Sequence, residues 1–251
     1  MNNERGAVRI SPDSTRLTST AADLFVDVAA EAIVARGRAD IALSGGSTPR
    51  ALYALLATPE YIDRVDWMRV NLWFGDERAV GPDDEQSNYR MAYEALISHI
   101  AIPEQNVHRI HGELPPVTAA SHYAEALHAA FNLPANGLPR LDLIWLGLGG
   151  DGHTASLFPD TDALKVQDHL VVANHVPQLD TDRITLTFPV INAAAVVAFL
   201  VAGEDKATMV ARVIEEDRSN PETLLPSQRI APIEGQILWL LDMAAAGQLH
   251  L

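Results

Sequence analysis

Residues 141–156 read LDLIWLGLGGDGHTAS, and this stretch decides the class of fold. Its first half is an almost unbroken apolar run, which is typical of a strand buried on both faces of a parallel sheet. Its second half is rich in glycine, so the chain is expected to turn directly after the strand. The stretch therefore predicts a central strand whose carboxyl end is followed by Asp151 and His153.

A similar succession of strand, loop and helix occurs nearer the amino terminus. The motif SGGSTP at residues 44–49 follows a short apolar run and precedes a predicted helix that Thr48 can cap. Apolar residues at helical spacing in residues 22–37 predict an earlier amphipathic helix, capped by Ser19 or Thr20. The predicted strands are residues 41–43, 70–74, 170–173, 183–187 and 196–201.

Strands that alternate with helices in this way predict a Rossmann-like, three-layer α/β/α fold with a mainly parallel sheet. A chain of 251 residues with 48% hydrophobic content can bury one substantial core, so we expect residues 1–251 to form one domain. Residues 114–118 (LPPVT) and 133–140 (LPANGLPR) are predicted to be surface connections within it. Ligands of such sheets bind at the carboxyl ends of the strands.

The composition limits the classes of partner. The chain has 18 basic and 33 acidic residues and a formal charge of -15, which repels nucleic acid and anionic membranes. It contains no cysteine, which excludes disulfides, thiolate catalysis and cysteine-ligated metals and fits a reducing, cytoplasmic location. The first residues lack the apolar core of a secretory signal, and the longest apolar stretch, residues 191–202, is too short to span a bilayer.

The SGGSTP motif is a candidate phosphate-binding loop. Its glycines let backbone N–H groups approach an anion, and the amino terminus of the predicted helix lies directly behind them. The same residues would also suit a ligand-free turn before a helix. The candidate anion ligands in this loop are Ser44, Gly45, Gly46, Ser47 and Thr48.

Charged residues near other strand ends are further candidates. Residues 76–78 are predicted to form a loop after a strand, where Asp76 could orient a histidine or a substrate hydroxyl and Arg78 could bind an oxyanion. Arg183 begins a later predicted strand, Lys206 lies in the glycine-bearing turn after another, and Asn88 is a candidate substrate contact. Each of these charges would equally suit a solvated surface position.

His153 is the strongest candidate for a catalytic base. The glycines before it match a dinucleotide-binding spacing, but no acidic residue ends the next predicted strand, so a nicotinamide cofactor is not expected. No P-loop lysine follows them, and no G-x-S-x-G motif occurs in the chain. A neutral imidazole can take a proton from water, and Asp151 lies two residues before the ring. His108 and His111 lie in a predicted loop, and we expect no metal site there.

Taken in order, SGGSTP, FGDER with SNY, LGLGGDGHTASLFP, RITLTFPVIN and GEDKA closely resemble the 6-phosphogluconolactonase family over nearly the whole chain. The resemblance implies the fold of glucosamine-6-phosphate deaminases and hydrolysis of 6-phospho-D-glucono-1,5-lactone, the second step of the oxidative pentose phosphate pathway. It also implies that His153 is the water-activating base and that Asp76 and Arg78 are polar active-site residues. The SGGST loop, Arg183 and Lys206 would bind the phosphate.

The chemistry of a lactone is consistent with this resemblance. A strained cyclic ester needs only a positioned water, one base and stabilisation of an oxyanion, so no cofactor, metal or covalent nucleophile is expected. We expect the partner to be a phosphorylated sugar lactone and the protein to be a monomer or a weak homo-oligomer.

Two alternative functions are open at the level of sequence. In amino-sugar-phosphate deaminases and isomerases, which also resemble this chain, a glutamate follows the histidine by five positions, whereas this chain has Phe158 there. A non-catalytic sugar-phosphate-binding regulator would keep the phosphate loop but would not need His153.

Overall fold

The structure is a computed structural model that describes residues 6–250. Its strands are β1 (Ala7–Ser11), β2 (Ala39–Leu43), β3 (Val70–Phe74), β4 (Asp76–Arg78), β5 (Leu143–Leu146), β6 (Val171–Val176), β7 (Thr181–Leu186), β8 (Val196–Val201) and β9 (Gln236–Asp242). Its α-helices are α1 (Ser14–Arg36), α2 (Ser47–Leu56), α3 (Asn88–Ala95), α4 (Pro116–Phe131), α5 (Phe188–Asn192) and α6 (Ala207–Glu215).

A parallel sheet forms the centre of the molecule. Its strand order is β1-β9-β8-β5-β2-β3, and every neighbouring pair is parallel. Every residue of β2, β5 and β8 is buried, and because successive side chains point to opposite faces, both faces of the sheet are covered there. The predicted α/β fold with a mainly parallel sheet is confirmed.

Three strands form a second, antiparallel sheet in the order β4-β7-β6. The sequence analysis placed β6 and β7 among the strands of a largely parallel sheet and residues 76–78 in a loop, and both interpretations were wrong. A short turn ending at Asp180, in the left-handed conformation, joins β6 to β7 as a hairpin, which is too short for a parallel crossover. Only Gly75 separates β4 from β3, so this sheet carries residues 76–78 beside the carboxyl edge of the parallel one.

The predicted helix starts were also wrong. Helix α1 begins at Ser14, because Asp13 accepts a hydrogen bond from the backbone N–H of Arg16 at 2.7 Å and thereby caps the helix. At α2 the cap position is Gly46, which has no side chain, so Thr48 lies inside the helix. The segment 114–118 is not wholly a connection, because Pro116 begins α4.

A cluster of aromatic side chains packs at β3. The ring of His108 stacks on Trp73 with 3.8 Å between ring centroids, and Trp73 Nε1 donates to Asp40 Oδ1 at 3.2 Å. Burial, together with the positive charge of Arg38, lowers the pKa of His108 to about 4.

Within residues 6–250, every helix is too short or too polar to cross a bilayer.

Candidate active site

The three loops that the sequence analysis singled out meet in one cleft of about 370 Å³ at the carboxyl ends of the parallel strands. Residues of the predicted site that line this cleft are Ser44, Gly45, Gly46, Ser47, Thr48, Asp76, Arg78, Asn88, His153 and Lys206. Asp151 and Arg183 do not line it, but each lies beside a residue that does. The imidazole and the glycine loop therefore share one cavity.

The loop after β2 is held from beneath by Tyr53. The Tyr53 hydroxyl accepts a hydrogen bond from the backbone N–H of Ser44 and donates one to its carbonyl, both at 2.9 Å. Gly45 is packed so closely that a Cβ there would overlap the side-chain oxygen of Asn88. No side chain caps α2, so the N–H groups of its first turn face the cleft without competition from a capping oxygen.

His153 is oriented by Asp151. One carboxylate oxygen of Asp151 lies 2.6 Å from His153 Nδ1 and accepts the backbone N–H of His153 at 3.0 Å. Burial alone would raise the pKa of Asp151, but the hydrogen bonds and charge of His153 lower it, so this carboxylate is ionised. Because an ionised carboxylate can only accept hydrogen bonds, Nδ1 donates to it, which leaves Nε2 as the nitrogen that can accept a proton whenever the ring is neutral.

Two neighbours restrict the space around the imidazole. A Cβ on Gly149 would overlap His153 Nδ1, so only glycine allows the ring to lie against the turn. On its other side the ring of Phe158 stacks on the imidazole, with 4.0 Å between centroids and 24° between planes. The side chain five positions after the histidine thus contacts the ring without offering it a second carboxylate.

Strand β4 divides its side chains between two sides. Asp76 and Arg78 share the side that faces the cleft, whereas Glu77 points the other way. The Glu77 carboxylate accepts the backbone N–H groups of Asn88 and Tyr89 at 2.7 and 2.8 Å, at the amino terminus of α3. Burial raises the pKa of Glu77 although these bonds oppose the shift. The sequence analysis missed Glu77, and the alternation of a strand was the signal that could have found it.

Asp76 is only 8% exposed and is held by two partners. Ser156 Oγ donates to Asp76 Oδ2 at 2.6 Å, and Asn88 Nδ2 donates to the Asp76 carbonyl at 2.9 Å and to Oδ1 at 3.3 Å. Ser156 stands three residues after His153 but was not identified from the sequence as a site residue.

Basic side chains collect at the same end of the molecule. Arg78 and Arg183 are direct partners in the register of β4 and β7, so their side chains leave the same face of the small sheet. Burial and the charge of Arg78 lower the pKa of Arg183. Lys206 lines the cleft from the turn after β8, with Asp205 at 3.5 Å. Two like charges placed side by side are unfavourable unless an anion lies near them.

The histidines weighed as metal ligands have other partners. His108 stacks on Trp73, and His111 Nδ1 lies 3.3 Å from Glu113 Oε1. Among residues 6–250, no group of three or more histidine or acidic side chains is placed to hold a metal ion.

Comparisons with known proteins agree with this arrangement. The family model for glucosamine-6-phosphate isomerases and 6-phosphogluconolactonases matches residues 12–239. A 6-phosphogluconolactonase from a Nostoc species is 40% identical over 243 residues, which cover 96% of this chain and 98% of the relative. The solved 6-phosphogluconolactonase from Trypanosoma cruzi has a TM-score of 0.86 at 26% identity, covering 99% of this chain and 98% of that one.

A monomeric glucosamine-6-phosphate deaminase of known structure has a TM-score of 0.79 and covers 96% of this chain and 99% of its own. At 19% sequence identity this likeness concerns the fold alone. The expected similarity to the deaminase fold is therefore confirmed.

Proposed function

Because the chain belongs to the family of glucosamine-6-phosphate isomerases and 6-phosphogluconolactonases, we infer that it is an enzyme that hydrolyses 6-phospho-D-glucono-1,5-lactone to 6-phospho-D-gluconate. This reaction belongs to the oxidative pentose phosphate pathway. The observation that carries the proposal is the placement of His153, oriented by Asp151, in the same cleft as the amino terminus of α2. A base and an anion-binding site separated by one sugar are what this reaction requires.

The reaction follows from the tautomer of His153. Nε2 takes a proton from a water molecule as its oxygen attacks C1 of the lactone, and the negative charge develops on the former carbonyl oxygen. The guanidinium of Arg78 or backbone N–H groups at the cleft stabilise that oxyanion. The bond from C1 to the ring oxygen then breaks, and the imidazolium returns its proton to the leaving oxygen. Asp151 stabilises the imidazolium between the two steps.

The phosphate of the substrate is assigned to the basic end of the cleft. The first turn of α2 offers backbone N–H groups, and Lys206 adds a positive charge in the same cleft. Arg183, the register partner of Arg78, would add a further positive charge for the phosphate.

The sugar hydroxyls have candidate acceptors of their own. Ser44 Oγ and Asn88 Oδ1 are buried and have no hydrogen-bond partner within the part of the chain that the structure describes, although both residues line the cleft. Unpaired polar atoms of this kind are what a polyhydroxylated ligand can satisfy.

The alternative of an amino-sugar-phosphate deaminase or isomerase is less well supported. A ring-opening proton relay needs a second carboxylate beside the imidazole, in addition to Asp151, and here the phenyl ring of Phe158 stacks on the imidazole instead. Release of ammonia from glucosamine 6-phosphate by the purified protein would reverse this choice.

The net charge bears on binding to nucleic acid and to membranes. A formal charge of -15 opposes binding to nucleic acid and to anionic membranes, and we propose a cytoplasmic monomer or weak homo-oligomer.

The direct test is an assay of 6-phosphogluconolactone hydrolysis, corrected for the spontaneous opening of the ring. We expect acceleration that survives a chelator. Binding of 6-phosphogluconate without any acceleration would instead identify a regulator that senses the sugar phosphate.

A further inference from the structure

We propose that Ser156 is a positioning residue for lactone hydrolysis, which fixes the Asp76 carboxylate relative to His153 through the hydrogen bond between Ser156 and Asp76. The inference rests on the proposed function. It concerns a side chain that touches neither the bound sugar nor the attacking water, since Ser156 is 1% exposed and lies behind the wall of the cleft.

The hydrogen bond itself is short and buried. Ser156 Oγ lies 2.6 Å from Asp76 Oδ2, within the range of a hydroxyl that donates to a carboxylate. Such a bond is stronger than one between neutral groups, and it has little competition from water at this depth. It holds one oxygen of Asp76 and leaves the carboxylate a single orientation at the cleft.

The backbone of Ser156 is anchored independently of its side chain. Its N–H donates to Thr185 Oγ1 at 3.3 Å, and its carbonyl accepts from Asn174 Nδ2 at 2.8 Å. Thr185 is also the register partner of Asp76, so strands β6 and β7 hold Ser156 opposite the carboxylate that it binds. The position of the Ser156 hydroxyl is therefore fixed by the backbone hydrogen bonds of Ser156 to β6 and β7.

The residue before Ser156 has an unusual backbone conformation. Ala155 has φ 47°, a left-handed conformation that alanine adopts unfavourably. The turn is closed by the backbone N–H of Leu157, which donates to the carbonyl of Thr154 at 2.9 Å. This turn directs the side chain of Ser156 toward the buried Asp76, while His153 lines the cleft. Backbone strain of this kind persists only where the surrounding contacts impose it.

These contacts connect two segments that are far apart in the chain. The first is the loop after β5, which carries His153 and Ser156, and the second is strand β4, which carries Asp76, 80 positions before Ser156. Removing the hydroxyl would leave the Asp76 carboxylate with only the longer hydrogen bond from Asn88 Nδ2, at 3.3 Å, without removing any group that contacts the substrate. The expected defect is a loss of alignment.

A double-mutant cycle tests this inference. We expect Ser156→Ala to lower kcat/KM by about tenfold or more, with Asp76→Asn causing at least as large a loss. If Ser156 acts through Asp76, adding Ser156→Ala to the Asp76→Asn variant should change kcat/KM by less than about twofold. Losses that multiply across the two variants would overturn the proposal.

Two further variants separate positioning from folding. Ser156→Cys keeps the volume and exchanges the hydroxyl for a weak donor, so it should fold and still lose activity. Thr187→Val removes a similarly buried hydroxyl away from the cleft, which donates to the His169 carbonyl at 2.7 Å, and should leave kcat/KM within twofold. Full activity of Ser156→Cys would also overturn the proposal.

The unmodified protein is assayed first, so that failure of the proposed function is recognised separately. If it does not accelerate lactone opening, the same cycle is measured on the Kd of 6-phosphogluconate by calorimetry. Coupling between positions 76 and 156 is expected there as well, and additive changes in Kd would refute it.

Discussion

His153 differs from the other histidines that pair with acidic residues in lining the cleft. His169 also lies 2.7 Å from an aspartate, Asp168, but it is exposed and does not line the cleft. A histidine–aspartate contact alone is therefore no sign of catalysis in this molecule. What distinguishes His153 is that a glycine turn and a phenyl ring fix its plane at the wall of a cavity.

We predict that His153→Ala lowers kcat by about a hundredfold or more, because a general base contributes on that scale. Steady-state assays corrected for spontaneous hydrolysis measure the effect. His169→Ala is the matched control and should leave kcat unchanged. A normal kcat in His153→Ala would remove the imidazole from the mechanism.

Arg183 and Lys206 are expected to recognise the phosphate and not the sugar. We predict that Arg183→Ala or Lys206→Ala raises KM for the phosphorylated lactone by about tenfold, since a charge-assisted contact contributes about 1.5–3 kcal/mol. KM for unphosphorylated gluconolactone should hardly change. Arg50→Ala removes an exposed charge beside the same loop and serves as the control. Equal losses on both lactones would place Arg183 and Lys206 elsewhere in the mechanism.

At the scale of elements, α3 is fixed to β4 by Glu77. Its carboxylate also accepts from Ser87 Oγ at 3.1 Å, so the buried end of the helix depends on an acceptor with two oxygens. Because Asn88 begins this helix and supports Asp76, the stability of α3 and the shape of the site are connected.

We predict that Glu77→Gln lowers the free energy of unfolding by about 1–3 kcal/mol, because the amide nitrogen cannot accept the bonds that one carboxylate oxygen accepts. Urea unfolding followed by circular dichroism measures the change. On the same helix, Glu94→Gln breaks only an exposed pair with Arg90 and should cost less than about 0.5 kcal/mol. Similar costs for both variants would contradict the assigned role of Glu77.

Much of the element order could be predicted, and the exceptions have physical causes. Apolar runs marked β3 and β8 to the residue, because strands buried on both faces leave an unmistakable pattern. The cap at Asp13 was missed because several polar residues precede the apolar run and any of them can cap in principle. The antiparallel sheet was missed since pairing partners depend on the hairpin turn at Asp180, and not on the apolar pattern of either strand.

The candidate site divides in the same way. Residues in glycine-rich motifs, such as Gly45 and His153, were found because a motif marks a turn at a strand end. Ser156 and Glu77 were not identified from the sequence, since their importance lies in buried contacts to residues distant in sequence.

At the scale of the whole molecule, both sheets share one hydrophobic core. The cluster of buried side chains runs from Leu17 to Ala246 and includes Ile184 and Leu186 of the small sheet. We propose that residues 1–251 form one domain. Urea unfolding should therefore show coincident transitions by tryptophan fluorescence and by circular dichroism, and two separated transitions would indicate two units.

The stability of the molecule should fall in mild acid partly through His108. Its pKa of about 4 lies below the ordinary 6.5, so the unfolded chain takes up this proton as the pH falls below 6.5 while the folded chain does not. The stabilisation is complete above pH 6.5 and is lost between 6.5 and 4.

We therefore predict that His108→Phe, which keeps a ring on Trp73, loses less stability between pH 7 and pH 5 than the unmodified protein does. The difference should be about 1 kcal/mol, because partial exposure of the ring reduces the full linkage effect. Urea unfolding at both pH values measures it, with His169→Ala behaving like the unmodified protein. Parallel losses in His108→Phe would show that other groups cause the acid sensitivity.

The alternation along β4 makes this three-residue strand intolerant of a change in length. Inserting or deleting one residue between Gly75 and Arg78 would shift the register by one position and exchange the two sides of the strand. The carboxylate of Glu77 would then point into the cleft. The side chains of Asp76 and Arg78 would point toward α3 instead. Family members that differ in length are therefore expected to place their insertions outside these positions.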